Sequence, residues 1–86
     1  MDKESIPLLL KHLDSDNEQL RAFIVWRLTS LGYEWTIEQI GILLKDDNWK
    51  VRLNVLFACE EDDLETALDD ESGVVRVVAQ ILSQAL

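Results

Sequence analysis

Leu44-Lys45-Asp46-Asp47-Asn48-Trp49-Lys50-Val51-Arg52 decides how this chain folds. It opens on a leucine, passes through an acidic turn and closes on an aliphatic residue followed by arginine. Two other stretches align with it without a gap. Leu13-Asp14-Ser15-Asp16-Asn17-Glu18-Gln19-Leu20-Arg21 precedes it, and Leu68-Asp69-Asp70-Glu71-Ser72-Gly73-Val74-Val75-Arg76 follows it. The leucine-to-arginine separation is the same in all three. One short pattern returning at intervals of a few tens of residues marks a chain of stacked helical units.

Each position has a physical task. Leu13, Leu44 and Leu68 close a short helix, with Leu9, Ile40 and Leu64 four residues earlier on the same face. Asn17, Asn48 and Ser72 stand where an N-cap is needed, just ahead of the next apolar series. Acids beside them suit the positive end of the coming helix. A longer second helix then carries an apolar stripe. The three stripes are Leu20, Ile24, Leu28 and Leu31, then Val51, Val55 and Cys59, then Val75, Val78, Ile81, Leu82 and Ala85.

The pattern predicts six helices in three antiparallel pairs, over about 4–13, 17–31, 36–45, 48–59, 61–68 and 72–85. The fold class is all-α, in one domain over 1–86 with units near 4–31, 36–59 and 61–86. Pro7 falls in a first helical turn, where its missing N–H costs least. Gly32 fits the position just past a helix end. Tyr33, Glu34 and Trp35 fill a loop, and Thr36 with Gln39 reads as a capping box. Val74-Val75-Arg76-Val77-Val78 reads as a strand on propensity alone. The alignment favours helix there, since the same place is helical by pattern in the first two copies.

The chain has 86 residues, enough for one domain. A domain of this size hides roughly 60% of its unfolded surface, so stability of about 5–10 kcal/mol is expected. The single cysteine, Cys59, follows Leu56, Phe57 and Ala58 and reads as a buried small hydrophobe in a reducing compartment. Met1-Asp2-Lys3-Glu4 lacks the apolar core of a secretory leader, and no apolar run is long enough to span a bilayer. A cytoplasmic location is the expectation. Seventeen acids against eight bases give a net charge of −9. Such a field repels phosphate backbones and anionic lipid, which disfavours direct nucleic-acid or membrane binding. A basic partner is permitted but not required.

The aligned block resembles the HEAT-like repeats of the phycobilisome-lyase type. That family's pattern runs leucine, an aspartate two residues later, then valine-arginine at the head of the second helix. The aspartate position holds Asp46 and Asp70, with Ser15 in the first unit. The valine position holds Leu20, Val51 and Val75, and the arginine position Arg21, Arg52 and Arg76. The chain departs from the family at the position just before the second helix, where Glu18, Trp49 and Gly73 replace a frequent proline. Ala22 or Ala58 serves loosely for a common alanine.

The resemblance implies an α-solenoid in which aspartates and arginines link adjacent turns as a structural ladder. Arg52 would bond Asp46 or the first turn, and Arg76 would bond Asp70 or the second turn. It also implies polar outer faces at both ends of the stack. The first helix partly meets this with Lys3, Glu4, Lys11 and His12. The last helix does not, since Val74, Val75, Val77, Val78, Ala79, Ile81, Leu82, Ala85 and Leu86 leave few polar positions. That edge is expected to dock on something, self-association being the simplest form.

No catalytic, cofactor or metal constellation is legible. Asp14-Ser15-Asp16-Asn17-Glu18 opens like a calcium loop, but Gln19 holds the glycine position and Val25 the closing glutamate position. His12, the only histidine, has no cysteine or second histidine to share a zinc. Its plain reading is a surface residue. Glu60, Glu61, Asp62, Asp63, Glu65, Asp69, Asp70 and Glu71 form a stretch without a base until Arg76. It reads first as a solvated face, and second as a patch that steers a basic partner. Trp26 is expected in the core, Trp35 across the first junction, and Trp49 either half-buried or exposed as an interface anchor.

These readings converge on a non-enzymatic protein–protein interaction module. The second helices, the Trp49 turn and the acidic stretch would bind, with Arg27, Asn54 and Gln80 as the polar residues of that face. The alternative is an acidic inhibitor that blocks a nucleic-acid enzyme by imitating phosphate charge. A lyase-like role follows from the family name alone and has no site chemistry behind it.

Overall fold

A computed structural model describes residues 3–85. A short 3-10 turn over Lys3–Ser5 leads into α1 (Ile6–Lys11), followed by α2 (Glu18–Ser30) and α3 (Ile37–Leu43). Then come α4 (Trp49–Val55), which tightens into a 3-10 turn over Leu56–Ala58, α5 (Glu61–Ala67) and α6 (Gly73–Ala85). No strand occurs among the described residues. Val74–Val78 lies inside α6, so packing overrides its β-branched propensity. Leu86 and the Lys3 side chain lie outside what is described.

Local chemistry sets the helix ends. Asn17 Oδ1 accepts the Leu20 N–H at 3.1 Å and Asn48 Oδ1 the Lys50 N–H at 2.8 Å. The Ser72 hydroxyl accepts the Val75 N–H at 3.4 Å. Thr36 and Gln39 complete a reciprocal capping box. After α2, Gly32 turns to φ +80°, a conformation that costs a glycine little. The Tyr33 N–H then reaches back to Leu28 O at 3.0 Å and the Gly32 N–H to Thr29 O at 3.1 Å, closing the helix.

Each short helix packs on the long one after it: α1 on α2, α3 on α4, α5 on α6. The long helices also pack on one another, α2 along α4 and α4 on α6. Two apolar clusters result. One joins Ala22 and Val25 to Ile40, Leu43, Val51 and Val55, with Trp35 against it. The other joins Leu56, Leu64 and Ala67 to Val75 and Ala79. Leu44 and Cys59 touch both and weld them together. Burial pushes the Cys59 thiol up to about 12, with Asp63 adding to the rise. Cys59 therefore behaves as a packing group rather than a nucleophile.

Candidate functional site

The three arginines hold equivalent positions in different surroundings: Arg52 is buried, Arg21 half-buried and Arg76 exposed. The Arg21 guanidinium clasps Asp46 with two bonds, Nε to Oδ2 at 3.0 Å and Nη2 to Oδ1 at 2.9 Å. Its Nη1 donates to Ser15 O at 2.7 Å. Arg52 repeats this geometry, with Nε to Asp70 Oδ2 at 2.9 Å, Nη2 to Asp70 Oδ1 at 3.1 Å and Nη1 to Asp46 O at 2.6 Å. Arg76 makes only the last kind of bond, from Nη1 to Asp70 O at 2.6 Å.

Each arginine thus pins the main chain of its own turn, and Arg21 and Arg52 also reach forward to the next turn's aspartate. The carboxylate partner of Arg52 is Asp70 rather than the Asp46 carboxylate. Arg21 already holds that carboxylate, which also accepts the Asn48 N–H at 2.9 Å. Asp70 accepts the Ser72 N–H in the same way at 2.8 Å. Ser15 Oγ does this for the Asn17 N–H at 3.1 Å, so the first turn is shaped without a carboxylate. For both aspartates burial favours the neutral acid. The arginine hydrogen bonds, the backbone N–H and the nearby cations outweigh it and hold both carboxyls below their ordinary range.

The residue five places after each arginine is Trp26, Phe57 or Ile81, and all three face solvent at 50, 60 and 59% exposure. This corrects two expectations. Trp26 is not core, and Ile81 does not belong to the buried stripe of α6. Helix α2 is apolar on nearly every side, so Ile24, Val25 and Leu28 fill the interior and leave Trp26 and Phe23 outside. In α6 the buried residues are Val75 and Ala79, one turn apart.

Trp26 and Phe57 line one depression of about 240 Å³ with Thr29, Ser30 and Asn54. An adjoining one of about 400 Å³ is lined by Ala22, Phe23, Trp26, Trp49, Lys50, Leu53 and Asn54. The two share Trp26 and Asn54 and form one aromatic groove along α2 and α4. Trp49 is 38% exposed, with Lys50 Nζ 5.7 Å from its ring centroid. Asn54 Nδ2 donates to Ala22 O at 2.9 Å, tying the groove floor across the two helices.

The polar residues expected on one face do not share it. Asn54 lies two residues after Arg52, whereas Gln80 lies four after Arg76, roughly 200° away on a helical wheel. Gln80 occupies the place of Val25 and Leu56, which are buried against the next long helix. There an exposed glutamine faces solvent instead. Arg27 is half-buried on α2 beside Trp26. The acidic stretch also divides. Glu60, Glu61 and Asp62 are exposed at the start of α5, and Asp63 is half-buried. Asp69 is exposed, Asp70 is taken by Arg52, and Glu71 stands 3.8 Å from Arg52 Nη2.

A depression of about 540 Å³ beside the first turn includes Leu10, Asp14, Arg21, Ile42 and Asp46. Of its charged residues, Arg21 and Asp46 already pair with each other. Among the described residues no group of three or more His, Cys, Asp or Glu side chains is placed to hold a metal ion. No described helix is long and apolar enough to cross a membrane. The chain matches no protein-family model, no curated protein and no solved structure.

Proposed function

We propose that the chain is a HEAT-like interaction module, an α-solenoid of three helix pairs that binds another protein through the outer face of its second helices. One observation carries this reading: the continuous aromatic groove of Phe23, Trp26, Trp49 and Phe57. Side chains of this size cost free energy when left in water, and clustered exposure of this kind is typical of binding surfaces. Aromatic anchors around a hydrogen-bonded floor are also what interface hot spots are made of. The recurring register of Arg21, Arg52 and Arg76 supports the solenoid part of the reading. The phosphate-mimic reading has less behind it, because Arg52 ties up the Asp70 carboxylate.

Panning a displayed peptide library on the immobilised chain tests the reading, with the Trp26→Glu/Phe57→Glu chain as counter-target. Sequences that bind the natural chain and not the variant are expected. Recovery only of sequences that bind both equally would overturn it.

A further inference from the structure

The donors that Arg21 and Arg52 place on a carboxylate are open on Arg76. All three guanidiniums are held by the same bond, Nη1 to the main-chain oxygen six residues back, at 2.7, 2.6 and 2.6 Å. With that bond made, Nε and Nη2 of Arg21 fork onto Asp46, and those of Arg52 fork onto Asp70. Among the described residues no carboxylate takes these two donors of Arg76, whose side chain is exposed. Gly73 adds to the opening. It holds the position of Glu18 and Trp49, and a Cβ there would lie 3.6 Å from Arg76 Nη2. The missing side chain leaves that donor uncovered.

We infer that Arg76 is a binding site for a carboxylate, and that its occupant is an aspartate in a partner protein's turn of the form Asp-x-Asn or Asp-x-Ser. The site belongs to α6 and is independent of the α2–α4 groove. The two filled copies select this chemistry. A guanidinium held at one Nη presents Nε and the other Nη as a planar pair, spaced for two carboxylate oxygens. Both clasped aspartates are themselves fixed by the N–H two residues on, of Asn48 at 2.9 Å and Ser72 at 2.8 Å.

The adjoining face of α6 is open as well. Val77 and Gln80 hold the places of Ala22 and Val25 on α2 and of Leu53 and Leu56 on α4, which pack into the clusters shared with the next unit. On α6 both are exposed, and Gln80 puts an amide where those joints are apolar. A second copy of this chain is a poor source of the carboxylate. Its two turns of the required form are those of Asp46 and Asp70, both already clasped, and its first turn has Ser15 in that place. Asp69 and Glu71, exposed in the turn before α6, repel a doubly charged phosphate more than a single carboxylate.

The test follows the arginine Nε–H signals of the isotope-labelled full chain by nuclear magnetic resonance. The chain is titrated with the blocked tripeptide Asp-Ala-Ser and with its Asn-Ala-Ser twin. The Arg76 signal is expected to move saturably with the aspartate peptide, at a half-saturation on the order of 100 mM for one forked pair in water. The Arg21 and Arg52 signals should stay in place, and the asparagine twin should move none of the three. Arg76→Lys, read from the Gly73 and Val77 amide signals, should weaken binding by about threefold or more, because a point charge does not fork. Gly73→Glu, on a backbone with ordinary negative φ, sets an acid beside Nη2 and should weaken it too.

Equal movement of the Arg76 signal with the asparagine twin, with potassium chloride or with inorganic phosphate would overturn the choice of carboxylate. An Arg76 signal that the aspartate peptide leaves unmoved would overturn the site itself. A dimer in light scattering that Arg76→Ala disperses would give the donors to a second copy and overturn the choice of partner.

Discussion

The junction closed by Arg52 and the end marked by Arg76 are the same arrangement with and without a neighbour. Both arginines donate Nη1 to the main chain six residues back, at 2.6 Å. Arg52 then places its other two donors on Asp70 and is buried, whereas Arg76 extends into solvent. The places four residues on differ in the same sense, Leu56 inside and Gln80 outside. An arginine becomes structural here because of what the next turn offers it. The local sequence that positions it is common to both.

The largest expected effect comes from making the closed junction resemble the open end. Leu56→Gln should cost about 3–4 kcal/mol in urea unfolding, because it buries an unpartnered amide and removes core volume. A loss below about 1 kcal/mol would mean that the α4–α6 contact is not packed as described. Arg52→Ala should cost about 3 kcal/mol, chiefly by stranding the Asp70 carboxylate. Arg52→Lys should recover only part of that, since a point charge cannot fork onto both oxygens.

Acid unfolding sharpens the contrast. Asp46 and Asp70 titrate below their ordinary range in the folded chain. Their stabilisation is therefore complete above the unfolded value of about 4, and it is lost as pH falls through the lowered folded values. Arg52→Ala should flatten this acid limb, whereas Arg76→Ala should leave it nearly unchanged. The smallest effects belong to the open end. Arg76→Ala and Gln80→Leu should each change unfolding free energy by no more than about 0.5 kcal/mol. Gln80→Leu should nonetheless raise the mass seen by light scattering, because it extends the apolar surface that Val77 and Ile81 expose on α6.

Much of this was legible in the sequence. The caps at Asn17, Thr36, Asn48 and Ser72 place the starts of the four helices they precede, and Gly32 marks the end of α2. Those signals are local, so one sequence suffices to read them. The direction of the arginine–aspartate pairing was not legible, because it depends on which carboxylate packing brings near. Trp26 was missed for another reason. A helix apolar all round has no periodicity to tell inside from outside. The signal lay in the alignment itself, which sets Trp26 beside Phe57 and Ile81, five places after each arginine. The same comparison sets Gln80 against Val25 and Leu56 and marks it as the residue of an uncovered side.

The forward reach of the arginines also gives the molecule a sense of time. Arg21 leaves the ribosome 25 residues ahead of Asp46, and Arg52 leaves 18 ahead of Asp70. At about 5–20 residues per second, each clasp stands open for on the order of seconds during synthesis. Its anchoring carbonyl, on Ser15 or Asp46, has already emerged by then. The backbone anchors of Arg21 and Arg52 are thus made before their aspartates, and the partner of Arg21 is made before the partner of Arg52.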